Sequence, residues 1–221
     1  MTSQTAFDFP QPLAEKYRPQ RIQDFVGLDK AKRIVANFVA KPYPSAWLFV
    51  GPSGTGKTTM GLALAAEMPA ELHHIPAKEC TLEAVQEVCR KCHYSPRSDE
   101  WKPVRFHVVL IDEADQMSNA AQLALLSKLD ATAFPPNTIF VFTCNGTDNL
   151  EKRFLSRCRT IEFSSYGMAN EIAGLLSAIW DKETDNPVDR PNFQRIVKDA
   201  TNNVRDALMS LTVAKSEGHR Y

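Results

Sequence analysis

No stretch of this 221-residue chain stays apolar for long. The longest runs, residues 46–50 and 138–143, fall well short of the roughly 20 residues that a membrane-spanning helix requires. The chain also lacks an excess of either charge, since 26 lysines and arginines balance 26 aspartates and glutamates. A net charge of zero excludes a bulk basic field that would hold the chain on nucleic acid or on an acidic membrane, so any nucleic-acid contact has to be a local patch. Residues 1–11 contain neither lysine nor arginine and no apolar signal core, so no secretory leader is expected. Cysteine is scarce; the 5 residues are odd in number and scattered, which fits reduced thiols in the cytoplasm rather than a disulfide framework. No internal repeat or low-complexity segment interrupts the chain.

What is present is a globular composition, with 43% hydrophobic residues, enough to bury a core in one or two domains. Short apolar runs alternate with helical patterns, the signature of a parallel sheet covered by helices. Strands are expected at 46–50, 108–111, 138–144 and 160–163, with a weaker one at 72–75. Helices are expected at 58–67, 81–92 and 118–130. After Ser164 the pattern holds only helices, at 169–182, 192–201 and 204–217, with a polar, proline-containing linker at 183–191. The expected organisation is an α/β core over 1–164, a parallel five-stranded sheet sandwiched by helices, followed by a small three-helix unit over 165–221. The polar segment 95–103, with two prolines, reads as an exposed loop.

Gly51-Pro52-Ser53-Gly54-Thr55-Gly56-Lys57-Thr58, followed by Thr59, fits the phosphate-loop pattern between a strand and a helix. Glycines let backbone N–H groups turn inward around phosphates at a helix amino terminus, where the helix dipole also favours negative charge. Lys57 can then reach the β- and γ-phosphates of ATP, and the Thr58 hydroxyl can ligate magnesium. Asp112 and Glu113 end an apolar strand, on the sheet edge where ligands bind in open α/β folds. Asp112 is the expected second magnesium residue, and Glu113 the group that polarises the attacking water. The letters Asp112-Glu113-Ala114-Asp115 also occur in a helicase superfamily, whose other motifs are absent.

Leu13-Ala14-Glu15-Lys16-Tyr17-Arg18-Pro19, followed by Phe25-Val26-Gly27, resembles the opening of the AAA+ clamp-loader ATPases. That group includes replication factor C small subunits and the bacterial polymerase III tau/gamma subunits. Cys144-Asn145 resembles the sensor 1 position of these proteins, Leu155-Ser156-Arg157-Cys158 their arginine-finger motif, and Asn203 to Leu208 their lid-domain sensor 2 motif. The resemblance implies an AAA+ P-loop NTPase fold with a helical lid. It implies that Ala14, Tyr17, Arg18 and Val26 lie around the adenine, that Asn145 orients the hydrolytic water or touches the γ-phosphate, and that Arg205 reaches that phosphate from the lid. Arg157 would act on the nucleotide of a neighbouring subunit, so its implied meaning is an interface.

The function implied is an ATPase that couples nucleotide binding to assembly with other clamp-loader subunits on primer-template DNA and to loading of a sliding clamp. Two alternatives stand beside it: a helicase loader or mobile-element ATPase, and a non-catalytic, ATP-binding structural subunit. Intact Lys57, Thr58, Asp112, Glu113, Arg157 and Arg205 argue against the inert subunit, which has no chemical need for all six.

Three features depart from the family pattern. Family subunits continue into a helical collar, whereas this chain stops at Tyr221, about where the lid ends, so assembly by the usual route is in question. Ser127 stands where a basic residue is usual, so the DNA contact expected there is either missing or shifted to Lys128; Arg90 and Lys91 are the first candidates for DNA contact, with Lys128 a weaker one. Cys80, Cys89 and Cys92 match the spacing of three of the four zinc cysteines of the tau/gamma subunits, but Ser95 takes the fourth place. A tetrahedral zinc site wants four ligands, and His93 is an awkward substitute beside Cys92. Zinc here therefore competes with plain buried thiols on an amphipathic helix.

Overall fold

The computed structural model of the chain describes residues 11–97, 104–184 and 190–216. Expected features at 98–103 and 185–189 lie outside them. The chain divides into two compact units, one of residues 19–165 and the other joining residues up to Arg18 to those from Tyr166 onward.

In the larger unit five parallel strands, β1 (Ser45–Val50), β2 (Ala70–Pro76), β3 (Phe106–Asp112), β4 (Thr138–Cys144) and β5 (Arg159–Glu162), form one sheet in the order β2-β3-β4-β1-β5. Both faces of the sheet are covered, because successive side chains of a strand point to opposite faces and here both sets are apolar. Leu48, Val109, Ile111, Phe140 and Phe142 pack on one side with α4 (Leu82–Lys91), α5 (Asn119–Lys128) and Phe154 of α6 (Lys152–Leu155). Their neighbours Trp47, Phe49, Val108, Leu110, Ile139 and Val141 pack on the other with α2 (Asp29–Ala40) and α3 (Lys57–Glu67). A fully buried side chain of this size contributes roughly 1.5–3 kcal/mol, and β4, buried at every position, supplies several.

The helix starts follow local chemistry. Thr81 and Ser118 accept N–H bonds from Ala84 and Ala121, capping α4 and α5. Helix α2 is absent from the sequence reading, although Ala31, Val35 and Phe38 carry helical spacing along its buried face. It begins after Leu28, a left-handed residue with no side-chain cap, so the usual start signal is missing.

The smaller unit contains α1 (Leu13–Lys16), α7 (Ala169–Glu183), α8 (Phe193–Asp199) and α9 (Val204–Ser216). The sequence places the amino-terminal segment with the sheet, over 1–164; the contacts group residues up to Arg18 with these helices instead. Glu183 ties it there, accepting from the Tyr17 hydroxyl at 2.7 Å and pairing with Lys16 at 2.5 Å and Lys215 at 2.6 Å. The Lys16 and Lys215 ammonium groups and the Tyr17 hydroxyl hold the Glu183 carboxyl down at about 2, and the Tyr17 phenol is pushed up to about 12 by burial and by Glu183. Among the described residues, no helix is long and apolar enough to cross a membrane.

Candidate nucleotide site

The carboxyl ends of β1, β3 and β4 lie side by side because of register. Val50 pairs with Cys144 and Ile111 with Phe142, which brings the loop after β1, the acids after β3 and Asn145 after β4 to one edge. The Gly51 N–H donates to the Cys144 carbonyl at 3.2 Å and fixes where the loop departs.

Two glycines are required by that path. Gly56 precedes α3 at φ +90, a conformation that side chains rarely adopt, and a Cβ there would come within 3.1 Å of the Phe25 ring. Gly51 faces the backbone of Phe163, whose carbonyl oxygen would lie 2.1 Å from an added Cβ. Neither backbone can yield easily, since the Phe163 N–H also donates to Val50 O at 2.7 Å. Gly51→Ala is therefore expected to destabilise the larger unit by about 3 kcal/mol or more, read as a fall in thermal melting temperature; an unchanged melt would contradict this packing.

Helix α3 starts after Gly56 with no side-chain cap, and the positive end of its dipole favours an anion there. Lys57 is 8% exposed, and its Nζ donates to Gly51 O at 2.7 Å, Pro52 O at 2.8 Å and Asn145 Oδ1 at 3.0 Å. Pro52 O also accepts from the Thr55 hydroxyl at 2.8 Å, which tightens the loop. Pro52 and Ser53 are exposed at its tip, whereas Gly54, Thr58 and Thr59 are half-buried.

Next to the loop, the Thr58 hydroxyl donates to Asp112 Oδ1 at 2.6 Å. The Thr143 hydroxyl donates to the same oxygen and accepts from the Glu113 N–H at 3.1 Å. Thr143 is absent from the sequence-based site, although a threonine closing the apolar run of β4 is a usable signal. Glu113 is exposed and left-handed, at φ 55 and ψ 47. For a non-glycine residue that backbone costs on the order of 1–3 kcal/mol, and such strain clusters at functional sites.

The donor set fits a magnesium nucleotide. Thr58 and Asp112 offer adjacent hard oxygens, and magnesium typically takes one or two protein oxygens together with phosphates and water. Lys57 and the uncapped end of α3 complement the phosphates.

The other expected residues are placed as follows. Val26 is half-buried and follows Phe25, whose ring lies against Gly56. Ala14, Tyr17, Arg18 and Arg205 belong to the smaller unit. Ala14 is half-buried, Arg18 pairs with Glu15 at 3.5 Å, and Arg205 is an exposed residue in the first turn of α9. Arg157 is half-exposed and donates to Asp130 Oδ2 at 3.0 Å; that bond holds the Asp130 carboxyl below its ordinary range. Arg90 and Lys91 both pair with Glu87 of their own helix.

The cysteines are free thiols. Burial pushes Cys80, Cys89 and Cys144 up to about 11 and Cys92 and Cys158 up to about 12. Cys80 Sγ lies 3.6 Å from Met117 Sδ, and His93 Nδ1 is bound to the Cys89 carbonyl at 2.7 Å. Among the described residues Cys92 converges with His73 and His107 rather than with Cys80 and Cys89.

Comparison with known proteins agrees with this geometry. Residues 47–166, more than half of the chain, match the ATPase family associated with various cellular activities (AAA). A replication factor C small subunit of Haloarcula marismortui is 28% identical over 209 residues, covering 92% of this chain and 62% of that protein. Replication factor C small subunit 1 of Pyrobaculum islandicum is 33% identical over 157 residues, covering 68% and 46%. Replication factor C subunit 2 of Arabidopsis thaliana is 28% identical over 218 residues, covering 95% and 63%. The chain thus spans between 46% and 63% of the length of these relatives. Among solved structures, the Thermotoga maritima RuvB Holliday junction branch migration motor superposes with a TM-score of 0.72 at 18% identity, over 94% of this chain and 66% of that one, a likeness of fold. A phosphate loop, strand-end acids and a strand-end asparagine on one edge of a five-stranded parallel sheet, together with the family match, establish that the chain belongs to the AAA family of ATPases.

Proposed function

We propose that this chain binds ATP with magnesium at the carboxyl edge of its sheet, hydrolyses it, and serves as a clamp-loader subunit in DNA replication. The observation that carries the catalytic part is the joining of three separate segments by two contacts, Lys57 Nζ to Asn145 Oδ1 and Thr58 Oγ1 to Asp112 Oδ1. The clamp-loader part is supported by the similarity to replication factor C small subunits.

Lys57 binds the β- and γ-phosphate oxygens, for which it exchanges its present carbonyl acceptors. Thr58 and Asp112 would hold magnesium, which supplies charge neutralisation on the phosphates. Asn145, already beside Lys57, orients the γ-phosphate or the attacking water. Glu113 polarises that water as it adds to the γ-phosphorus; the bond to the bridging oxygen breaks and ADP and phosphate leave. Arg157 is proposed to act on a neighbouring subunit's nucleotide, which requires release from Asp130. The roles given to Ala14, Tyr17, Arg18, Val26 and Arg205 rest on the resemblance alone.

Because the chain is electroneutral, DNA should engage it chiefly through an ATP-dependent assembly in which several local contacts add. Native mass measurement with ATP, primed DNA, a sliding clamp and candidate partner subunits tests this. The expected result is a larger assembly accompanied by faster ATP turnover. Unchanged mass and unchanged turnover would overturn the clamp-loader assignment in favour of a helicase loader or a structural subunit.

A further inference from the structure

Away from the nucleotide site, a second cluster of chemically capable side chains sits on the β2 and β3 end of the sheet. Glu71 and His73 are two residues apart on β2 and therefore share a face. In the parallel register Glu71 stands opposite His107 and His73 opposite Val109. Cys92, which ends α4, comes down on the same face, where it packs in the cluster that holds Val109. Cys92 and His107 are 1% and 2% exposed, and His73 is largely buried.

The hydrogen bonds define the donor atoms. His107 Nε2 lies 3.0 Å from the Tyr94 carbonyl, which can only accept, so this nitrogen carries the proton. The Nδ1 atom of a neutral His107 then presents a lone pair, 3.0 Å from His73 Nε2. Cys92 Sγ completes a group of three potential ligand atoms, all within 4.8 Å of one another. The Glu71 carboxylate stands at 3.5 Å from His107 Nδ1 and 3.9 Å from His73 Nε2.

We propose that His73 Nε2, His107 Nδ1, Cys92 Sγ and a Glu71 carboxylate oxygen form a tetrahedral zinc site. The donor set is one sulfur, two imidazoles and one carboxylate, which suits zinc rather than magnesium or calcium. Bonds of about 2.0–2.1 Å to nitrogen and about 2.3 Å to sulfur at tetrahedral angles place two nitrogens roughly 3.3 Å apart and a nitrogen and sulfur roughly 3.6 Å apart. The imidazole nitrogens therefore part by a few tenths of an ångström, and the sulfur closes in by about 1 Å or less. The His107 bond to Tyr94 O is the support that ligating histidines usually have, since it fixes tautomer and ring orientation together. On binding, the proton that His73 Nε2 holds toward His107 moves to His73 Nδ1, the other tautomer of the neutral ring, and the thiol proton of Cys92 leaves to solvent.

The consequence is mechanical. Strand β2 is the edge of the sheet, and one ion would fasten it and the carboxyl end of α4 to β3. This set shares only Cys92 with the cysteine spacing of the sequence, which is why the residues on β2 and β3 are not visible from motif spacing.

The test uses the untagged full chain, stripped with a chelator and titrated with zinc against a chromophoric competitor, and in parallel with cobalt(II) as a spectroscopic substitute. One equivalent should bind, raise the melting temperature, and, as cobalt, give a thiolate charge-transfer band. Cys92→Ser should abolish the band. His73→Gln, at a less buried position, should retain the fold and lower zinc affinity by more than the roughly 10–100-fold that loss of a supporting residue brings. Cys80→Ala and Cys89→Ala should bind zinc as the parent does. The proposal is overturned if the parent takes up less than one equivalent, if folded His73→Gln keeps parental affinity, or if Cys80→Ala or Cys89→Ala removes the metal.

Discussion

Glu113→Gln is expected to keep ATP bound while turnover falls by about 10²- to 10⁴-fold, the range that a positioned general base contributes. The substitution preserves size and removes the charge proposed to polarise the attacking water. Its backbone should be unaffected, because the Glu113 N–H remains on the Thr143 hydroxyl and the left-handed turn is a property of the main chain. Glutamine at φ 55 bears a strain similar to that of glutamate, so stability should change little. Steady-state phosphate release, measured with saturating ATP and magnesium, checks this. Undiminished release would move the base elsewhere on the sheet edge.

Lys57→Ala is expected to lower affinity for ATP on the order of 100-fold. The ammonium is a buried donor at the amino terminus of α3, and charge-assisted bonds to phosphate contribute roughly 1.5–3 kcal/mol, which at about 1.4 kcal/mol per decade is ten- to more than a hundredfold. Truncation also removes the donor shared by Gly51 O, Pro52 O and Asn145 Oδ1, so the loop loses its side-chain link to Asn145. A ligand that binds only the folded chain raises its melting temperature by mass action. ATP should therefore shift the melt of the wild-type chain and leave that of Lys57→Ala almost unmoved at the same concentration.

Much of this architecture is legible in the sequence because it is local. Apolar runs give β1, β3 and β4, and the glycine-lysine-threonine loop marks the turn between β1 and α3. What the sequence does not display is which distant segments meet. Lys57 and Asn145 are 88 positions apart, and only the parallel register of β1 with β4 makes them neighbours. Tyr17 and Glu183 are separated by 166, so the packing of α1 with the carboxyl-terminal helices depends on tertiary contacts that no periodicity encodes. Thr143 is marked in the sequence only as a polar residue near the end of an apolar run, and the pairing of β3 with β4 is what brings it to Asp112. Asp130 is likewise anonymous until the turn after α6 brings Arg157 to it.

The measurement that bears most directly on the nucleotide site is calorimetric titration of ATP, with and without magnesium, into the wild-type chain and into Lys57→Ala. One nucleotide should bind per wild-type chain, more tightly with magnesium, and the heat should largely vanish in the variant. A wild-type chain that takes up no ATP, or a Lys57→Ala chain that binds it as well as the parent does, would contradict a phosphate-loop ATPase site at the ends of β1, β3 and β4.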